Sequence, residues 1–167
     1  MTSERGKTER RETHDGYSLP ELLTVIALIG LFVLVGGPAM ADGFKAYKVK
    51  ASADIVATDV RGMRYAAVGQ RTPMTMTISS QGSGVNPNTY AFTNAAGRAI
   101  TRQLEQGVNI EDASADTLSF GTTGSTGSTA TQVVIVSMDI NSTRGDRYTI
   151  SVTPTGTVTT AYSTYTP

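Results

Sequence analysis

The sequence predicts an α+β protein: a long membrane-spanning N-terminal α-helix whose amphipathic C-terminal half packs on an antiparallel β-sheet domain. Three observations predict this class. A charge-free apolar run extends from Leu22 to Met40, an amphipathic helical pattern follows it, and from about Met74 short β-branched runs alternate with turn residues. The 167 residues accordingly divide into a leader (1–16), a long helix (17–71) and a β-rich globular domain (72–167).

Residues 1–16 read MTSERGKTERRETHDG and are almost wholly polar, with four basic and four acidic side chains. A segment of this composition cannot bury an apolar face, so we expect it to be disordered. It ends in Gly16, directly before the apolar run.

The apolar run predicts a membrane-spanning segment over residues 17–40. Its 19 charge-free residues, at about 1.5 Å per residue, match the thickness of a bilayer's hydrocarbon core. A cleaved secretory signal is the alternative, but such signals have a shorter apolar core followed by a small-residue cleavage site. The length of the run therefore favours a single membrane span.

A charged residue and a proline in this segment need an explanation, because neither is usual inside an apolar helix. A charge such as that of Glu21 costs about 2.5–3.5 kcal/mol in hydrocarbon. It therefore either lies at headgroup level, where the helix macrodipole favours it, or pairs with a cation. Pro38 lacks an N–H and clashes with the preceding turn, which predicts a kink in the helix.

An amphipathic arm is predicted over residues 44–71. Apolar residues recur there at helical spacing, and we expect this stripe to pack on a sheet; its members are Val49, Ala53, Val56, Val60, Met63 and Ala67. Gly69 and Pro73 are expected to end the helix.

The remainder predicts seven strands separated by glycine, proline and asparagine turns. They are Met74–Ser79, Thr89–Thr93, Arg98–Leu104, Thr117–Phe120, Gln132–Ile140, Arg147–Thr153 and Thr157–Tyr162. The segment GTTGSTGSTAT (121–131) is interpreted as a flexible loop between strands. Glu111, Asp112 and Asp116 could offer oxygen ligands to calcium, but their irregular spacing favours a solvated acidic turn.

The N-terminal pattern resembles the class III signal of type IV pilins and type II secretion pseudopilins: a charged leader, Gly16, an aromatic residue, then SLPELLTVIALIG. The resemblance implies that a prepilin peptidase cuts between Gly16 and Tyr17, and that Tyr17 becomes N-methylated. It also implies that Glu21 pairs with the Tyr17 amine of a neighbouring subunit and so sets the register between subunits. The chain departs from the family pattern at Tyr17, usually Phe, and at Pro20, usually aliphatic.

The rest of the chain resembles the GspH/FimT type of minor pseudopilin, which has an Ala- and Arg-rich helix, a late hydrophobic strand and a closing hairpin, here VTPTGTV (152–158). This implies a pilin-like fold and a structural subunit that helps to initiate or cap a type IV pilus or a type II secretion pseudopilus. The implied partners are other pilins or pseudopilins, the prepilin peptidase and the inner-membrane assembly platform. The implied location is the bacterial inner membrane, crossed once, with a periplasmic C-terminal domain incorporated into a filament.

Composition bears on the alternative, a filament-tip module that binds DNA, a secreted substrate or a surface. The net charge is zero, and Tyr148–Pro167 contains no charged side chain, so we expect no strong nucleic-acid binding. The chain has no cysteine, and its one histidine, His14, lies in the leader. We therefore expect no enzyme activity, no metal site and no cofactor.

Overall fold

A computed structural model describes residues 17–83, 87–113 and 116–167. Its elements are one helix, α1 (Leu19–Gln70), followed by eight strands. The strands are β1 (Met74–Ser79), β2 (Thr89–Thr93), β3 (Ala99–Gln103), β4 (Asn109–Ala113), β5 (Thr117–Phe120), β6 (Gln132–Asn141), β7 (Arg144–Val152) and β8 (Val158–Tyr165). The chain divides into two compact units, one ending at Ala39 and one spanning Met40–Pro167.

In the first unit, α1 begins immediately after Ser18. The Ser18 carbonyl oxygen accepts hydrogen bonds from the backbone N–H groups of Glu21 (3.0 Å) and Leu22 (3.2 Å). Pro20 therefore lies in the first turn, where a missing N–H breaks no helical hydrogen bond. The helix continues through Pro38, and the predicted kink there stays a prediction.

In the second unit, one face of α1 forms the centre of the hydrophobic core. The six residues of the predicted stripe are each at most 2 % exposed. They pack with buried side chains of both sheets, among them Met76, Phe120, Val136 and Ile150. The predicted amphipathic arm and its packing against β-structure are confirmed.

The eight strands form two four-stranded antiparallel sheets, ordered β3-β2-β1-β5 and β4-β6-β7-β8. The predicted fold class is confirmed, and all seven predicted strands are present with small shifts at their ends. The prediction of a turn for the acidic segment at 109–113 is wrong: this segment is β4, paired with β6. Ile110, which belongs to this segment, is buried in the core, and this burial is the physical reason for a strand there.

The end of α1 also differs from the prediction. The helix continues through Gly69 to Gln70, and Arg71 adopts the left-handed conformation with φ of 52°. The Thr72 N–H returns to the Ala67 carbonyl oxygen at 3.2 Å, which satisfies a free carbonyl of the last turn.

The glycine-rich loop at 121–131 is hydrogen-bonded to its surroundings rather than free. Within the loop, the Gly121 N–H donates to Ser125 O at 2.7 Å. The Thr126 N–H donates to the Pro154 carbonyl oxygen at 3.0 Å, which joins the loop to the turn between β7 and β8.

The hairpin between β6 and β7 contacts the start of α1 in the second unit. The Lys45 ammonium donates to the Ile140 carbonyl oxygen at 2.6 Å. The Asn141 side-chain amide donates to the Asp42 carboxylate at 3.0 Å. Because residues 140 and 141 end β6, these two bonds attach the hairpin to the helix.

Candidate functional site

The first unit presents an apolar helical surface with no cover in the described residues. The most apolar 18-residue window of α1 has a mean hydropathy of 2.4 and is 0 % buried, so this helix is long and apolar enough to cross a membrane. Large side chains such as Phe32 and Leu34 are about three-quarters exposed. Lipid tails or apolar helices are the environments that suit such a surface.

Tyr17 and Glu21 lie at the start of this surface. Tyr17 is 84 % exposed, and Glu21 lies in the first turn of α1, one helical turn further along the chain. Together with Leu22 and Val25 they line a shallow concavity of about 270 Å³. Gly16, the predicted cleavage site, lies outside the described residues.

The Glu21 carboxylate is available to an external cation. The helix N-terminus favours a negative charge at this position. None of the ion pairs formed among the residues that the structure describes involves Glu21. Both interpretations of this residue, a headgroup-level charge and a partner for a neighbouring amine, are compatible with this geometry.

In the second unit, Asp59 of α1 joins the helix to the first sheet. It accepts a hydrogen bond from the Tyr90 hydroxyl at 2.7 Å and forms an ion pair with Arg102, whose Nε lies at 2.8 Å. Burial, followed by the hydrogen bond to Asp59, raises the pKa of Tyr90 far above its ordinary value. Tyr90 therefore stays neutral and acts as a donor.

A second ionic cluster lies on β7. Asp146 is 2 % exposed and receives both Nε (2.8 Å) and Nη2 (3.0 Å) of Arg144, with the Tyr162 hydroxyl at 3.2 Å. The hydrogen bonds to Asp146, followed by the one that Arg144 donates to the Tyr162 hydroxyl at 3.1 Å, raise the pKa of Arg144. Composition indicates only a weak basic patch at this point of the chain. The spacing of two on a strand, which puts both residues on one face, could have revealed the pair.

Arg147, on the opposite face of β7, also has partners within the protein. Its Nη2 lies 2.6 Å from Glu111 Oε2, and its guanidinium lies 4.7 Å from the ring centre of Tyr165. The hydrogen bond to Glu111 is the largest cause of the raised pKa of Arg147. Glu111, a residue considered as a calcium ligand, therefore serves as a structural counter-ion.

The geometry bears on both calcium binding and DNA binding. Among the residues described, no three His, Cys, Asp or Glu side chains are grouped to hold a metal ion. Arg144 and Arg147 are paired with carboxylates, and Arg64 binds the carbonyl oxygens of Gly124 (3.2 Å) and Thr155 (3.4 Å). These arginines have donors already committed within the protein.

The fold is similar to that of two crystal structures of the type IV minor pilin FimU from Pseudomonas aeruginosa strain PAO1. One, in space group P21, has a TM-score of 0.53 at 10% identity, covering 70% of this chain and 90% of that one. The other, in space group P65, has a TM-score of 0.50 at 12% identity, covering 67% and 91%. No protein-family model and no curated protein sequence matches the chain. At these identities the likeness concerns the fold, and the predicted pilin-like fold is confirmed.

Proposed function

We propose that this chain is a minor pilin or pseudopilin, a structural subunit that helps to initiate or cap a type IV pilus or a type II secretion pseudopilus. The observation that carries the proposal is the difference in environment between the two parts of α1. Its first part is an exposed apolar span, and its second part is the core helix of a pilin-like domain. A subunit of this design leaves the membrane by exchanging lipid contacts for contacts with the apolar helices of other subunits.

The proposal assigns roles to the residues at the N-terminal end. A prepilin peptidase cuts after Gly16, and Tyr17 becomes the N-methylated first residue. In the filament, the Tyr17 amine of one subunit neutralises Glu21 of its neighbour, because a carboxylate surrounded by apolar helices needs a cationic partner. Pro38 kinks the helix. Other pilins or pseudopilins and an inner-membrane assembly platform are the partners, and the domain from Met40 onward lies in the periplasm.

The exposed position of Glu21 and its freedom from the described ion pairs support this assignment. The commitment of Arg64, Arg144 and Arg147 to partners within the protein weighs against the alternative of a DNA-binding tip module.

Mass spectrometry of filaments sheared from the native host tests the proposal. We expect the chain to be present in the filament fraction and to begin at N-methylated Tyr17. A Gly16→Val variant should retain its leader, stay in the membrane fraction and be missing from filaments. Filaments containing a chain that begins at Met1, or one cut after Ala41, would contradict the proposal.

A further inference from the structure

The first hydrogen bonds of α1 show where the helix begins. The Ser18 carbonyl oxygen accepts the N–H groups of both Glu21 and Leu22, at 3.0 and 3.2 Å. The helix starts at Leu19, so Tyr17 lies outside it. The peptide bond between residues 16 and 17, at which cleavage is proposed, therefore precedes the first helical residue in the sequence.

Pro20 has a specific position relative to this bond. In an α-helix each N–H donates to the carbonyl oxygen four residues earlier. The residue four positions before Pro20 is Gly16, whose carbonyl belongs to the bond that the peptidase must cut. Pro20 has no N–H to donate, and its ring would collide with a helical carbonyl at that distance along the chain. Pro20 therefore cannot hold the scissile carbonyl in a helical hydrogen bond.

A residue with an N–H at position 20 would allow a longer helix. Backbone groups next to a bilayer favour helical hydrogen bonds, because hydrocarbon offers them no other partner. The apolar span begins directly after this position. A helix extended towards the leader would place the Gly16 carbonyl oxygen in a hydrogen bond to residue 20. That oxygen would then be withheld from the donors with which a peptidase stabilises the charge that develops during hydrolysis.

We propose that Pro20 is a positioning residue for leader removal, which keeps the scissile carbonyl of Gly16 out of the helix and open to the peptidase. This role rests on the function proposed above. Hydrolysis adds water across the Gly16–Tyr17 amide, leaving a carboxylate on Gly16 and the free amine on Tyr17. Pro20 takes no part in that chemistry and acts only through the conformation of the backbone.

Leader removal from the full-length precursor in membrane vesicles tests this role. The precursor is made in cells without the peptidase and then mixed with host membranes that contain it. Mass spectrometry follows the initial rate at which the chain beginning at Tyr17 appears. Pro20→Ala should lower this rate about tenfold, because alanine restores the N–H and is the residue that favours a helix most. Equal rates for the substituted and unsubstituted precursors would overturn the proposal.

Pro20→Gly distinguishes an effect on the backbone from direct recognition of the proline ring. Glycine restores the same N–H as alanine but disfavours a helix. The initial rate for Pro20→Gly should therefore fall between the rate for the unsubstituted precursor and the rate for Pro20→Ala. Equally slow cleavage of the two variants would indicate that the peptidase recognises the ring, and it would overturn the proposal.

Pro38→Ala is the matched control, since it removes the other proline of α1 at a position far from the cleavage site in the sequence. Its leader should be removed at the unsubstituted rate. Slowing equal to that of Pro20→Ala would contradict a role specific to position 20. A precursor that is not cut after Gly16 even without substitution would refute both the proposed function and the role of Pro20. Normal cleavage of Pro20→Ala would refute the role of Pro20 alone.

Discussion

Arg64 on α1 donates from Nε to the carbonyl oxygen of Gly124 at 3.2 Å. Its Nη2 reaches Thr155 O at 3.4 Å, so one side chain connects the helix, the glycine-rich loop and the turn between β7 and β8. In this arrangement Gly156 lies directly against the Gly124 carbonyl, with φ of 82°. The approach leaves no room for a Cβ atom at Gly156.

Gly156→Ala is therefore expected to destabilise the protein strongly. The added Cβ would collide with the Gly124 carbonyl oxygen, and the left-handed backbone would be strained as well. Together these effects should lower the free energy of unfolding by about 2–4 kcal/mol. Denaturant unfolding of the full-length protein in detergent, followed by circular dichroism in the β-sheet region, measures this change.

Gly127→Ala is the matched control for this substitution. Gly127 also has a positive φ, 69°, but among the described residues no atom of another part of the fold lies within 4 Å of the position that a Cβ would take. We expect only the backbone strain there, about 1 kcal/mol. Equal decreases in the free energy of unfolding at the two positions would show that the close approach of Gly156 to the loop does not contribute to the effect of the substitution.

Glu21→Gln should abolish recruitment into filaments while leaving cleavage and membrane insertion intact. The amide keeps the shape of the side chain and one accepting oxygen but removes the charge that pairs with a neighbouring amine. Crosslinking to partner pilins in the host measures recruitment. Recruitment at the wild-type level would exclude the pairing role and leave the headgroup-level charge.

Thr24→Val serves as the control for Glu21. The Thr24 hydroxyl donates to Pro20 O at 2.8 Å within its own helix, so its proton is already committed there. We expect this variant to be recruited normally. A defect equal to that of Glu21→Gln would indicate that any polar change near the helix start prevents assembly.

The protein should show no salt-sensitive binding to duplex DNA. DNA affinity depends on arginine and lysine side chains that neutralise phosphates, and Arg144 and Arg147 are held by Asp146 and Glu111. Gel shifts at increasing salt concentration measure this. A shift that weakens steeply with salt and disappears on combined Arg144→Ala and Arg147→Ala substitution would support DNA binding.

Tyr165 should contribute to alkaline destabilisation. Burial, followed by the hydrogen bond to Asp139, raises its pKa to about 12 from the ordinary tyrosine value of 10.0. In the unfolded chain Tyr165 ionises first, so its stabilising contribution is fully present below about pH 10 and is lost as the pH rises to about 12. Tyr165→Phe should therefore reduce the loss of unfolding free energy across this range.

Asp139→Asn provides a second measure of the same effect. Removing the carboxylate that accepts the Tyr165 hydroxyl should bring the pKa of Tyr165 down and likewise flatten the alkaline pH dependence. Denaturant unfolding at successive pH values gives the slopes. A slope identical to that of the unsubstituted protein in both variants would exclude Tyr165 as a source.

The periodicity of apolar residues predicted the parts of the fold in which one helical or strand pattern is clear in the sequence. The stripe from Val49 to Ala67 is buried because its spacing follows one helix face. The segment Asn109–Ala113 was missed because its acidic residues hide a strand pattern. Glu111 is acceptable in β4 because Arg147, a residue distant in sequence, pairs with it across the sheet.

The features of the candidate site likewise fall into those that local sequence predicts and those that depend on contacts between distant segments. The apolar span and the position of Glu21 follow from local sequence. The Arg144–Asp146 pair also follows from local spacing along β7. The group around Asp59 and the approach of Tyr162 to Asp146 depend on which elements become neighbours, and local spacing does not determine that choice. The composition of the loop at 121–131 indicates a flexible segment. Its hydrogen bond from the Thr126 N–H to Pro154 O depends on a turn that is distant in sequence, so local sequence does not predict it.

The contacts of the β6–β7 hairpin with Asp42 and Lys45 have a mechanical consequence. A pull on the chain that enters the second unit at Met40 meets these two contacts before it reaches the first buried core residue, Val49. The load then passes sideways into β6, one of the longest strands, whose ladder with β7 shares it over many hydrogen bonds. Force is thereby spread into a sheet before it can peel the helix from the core.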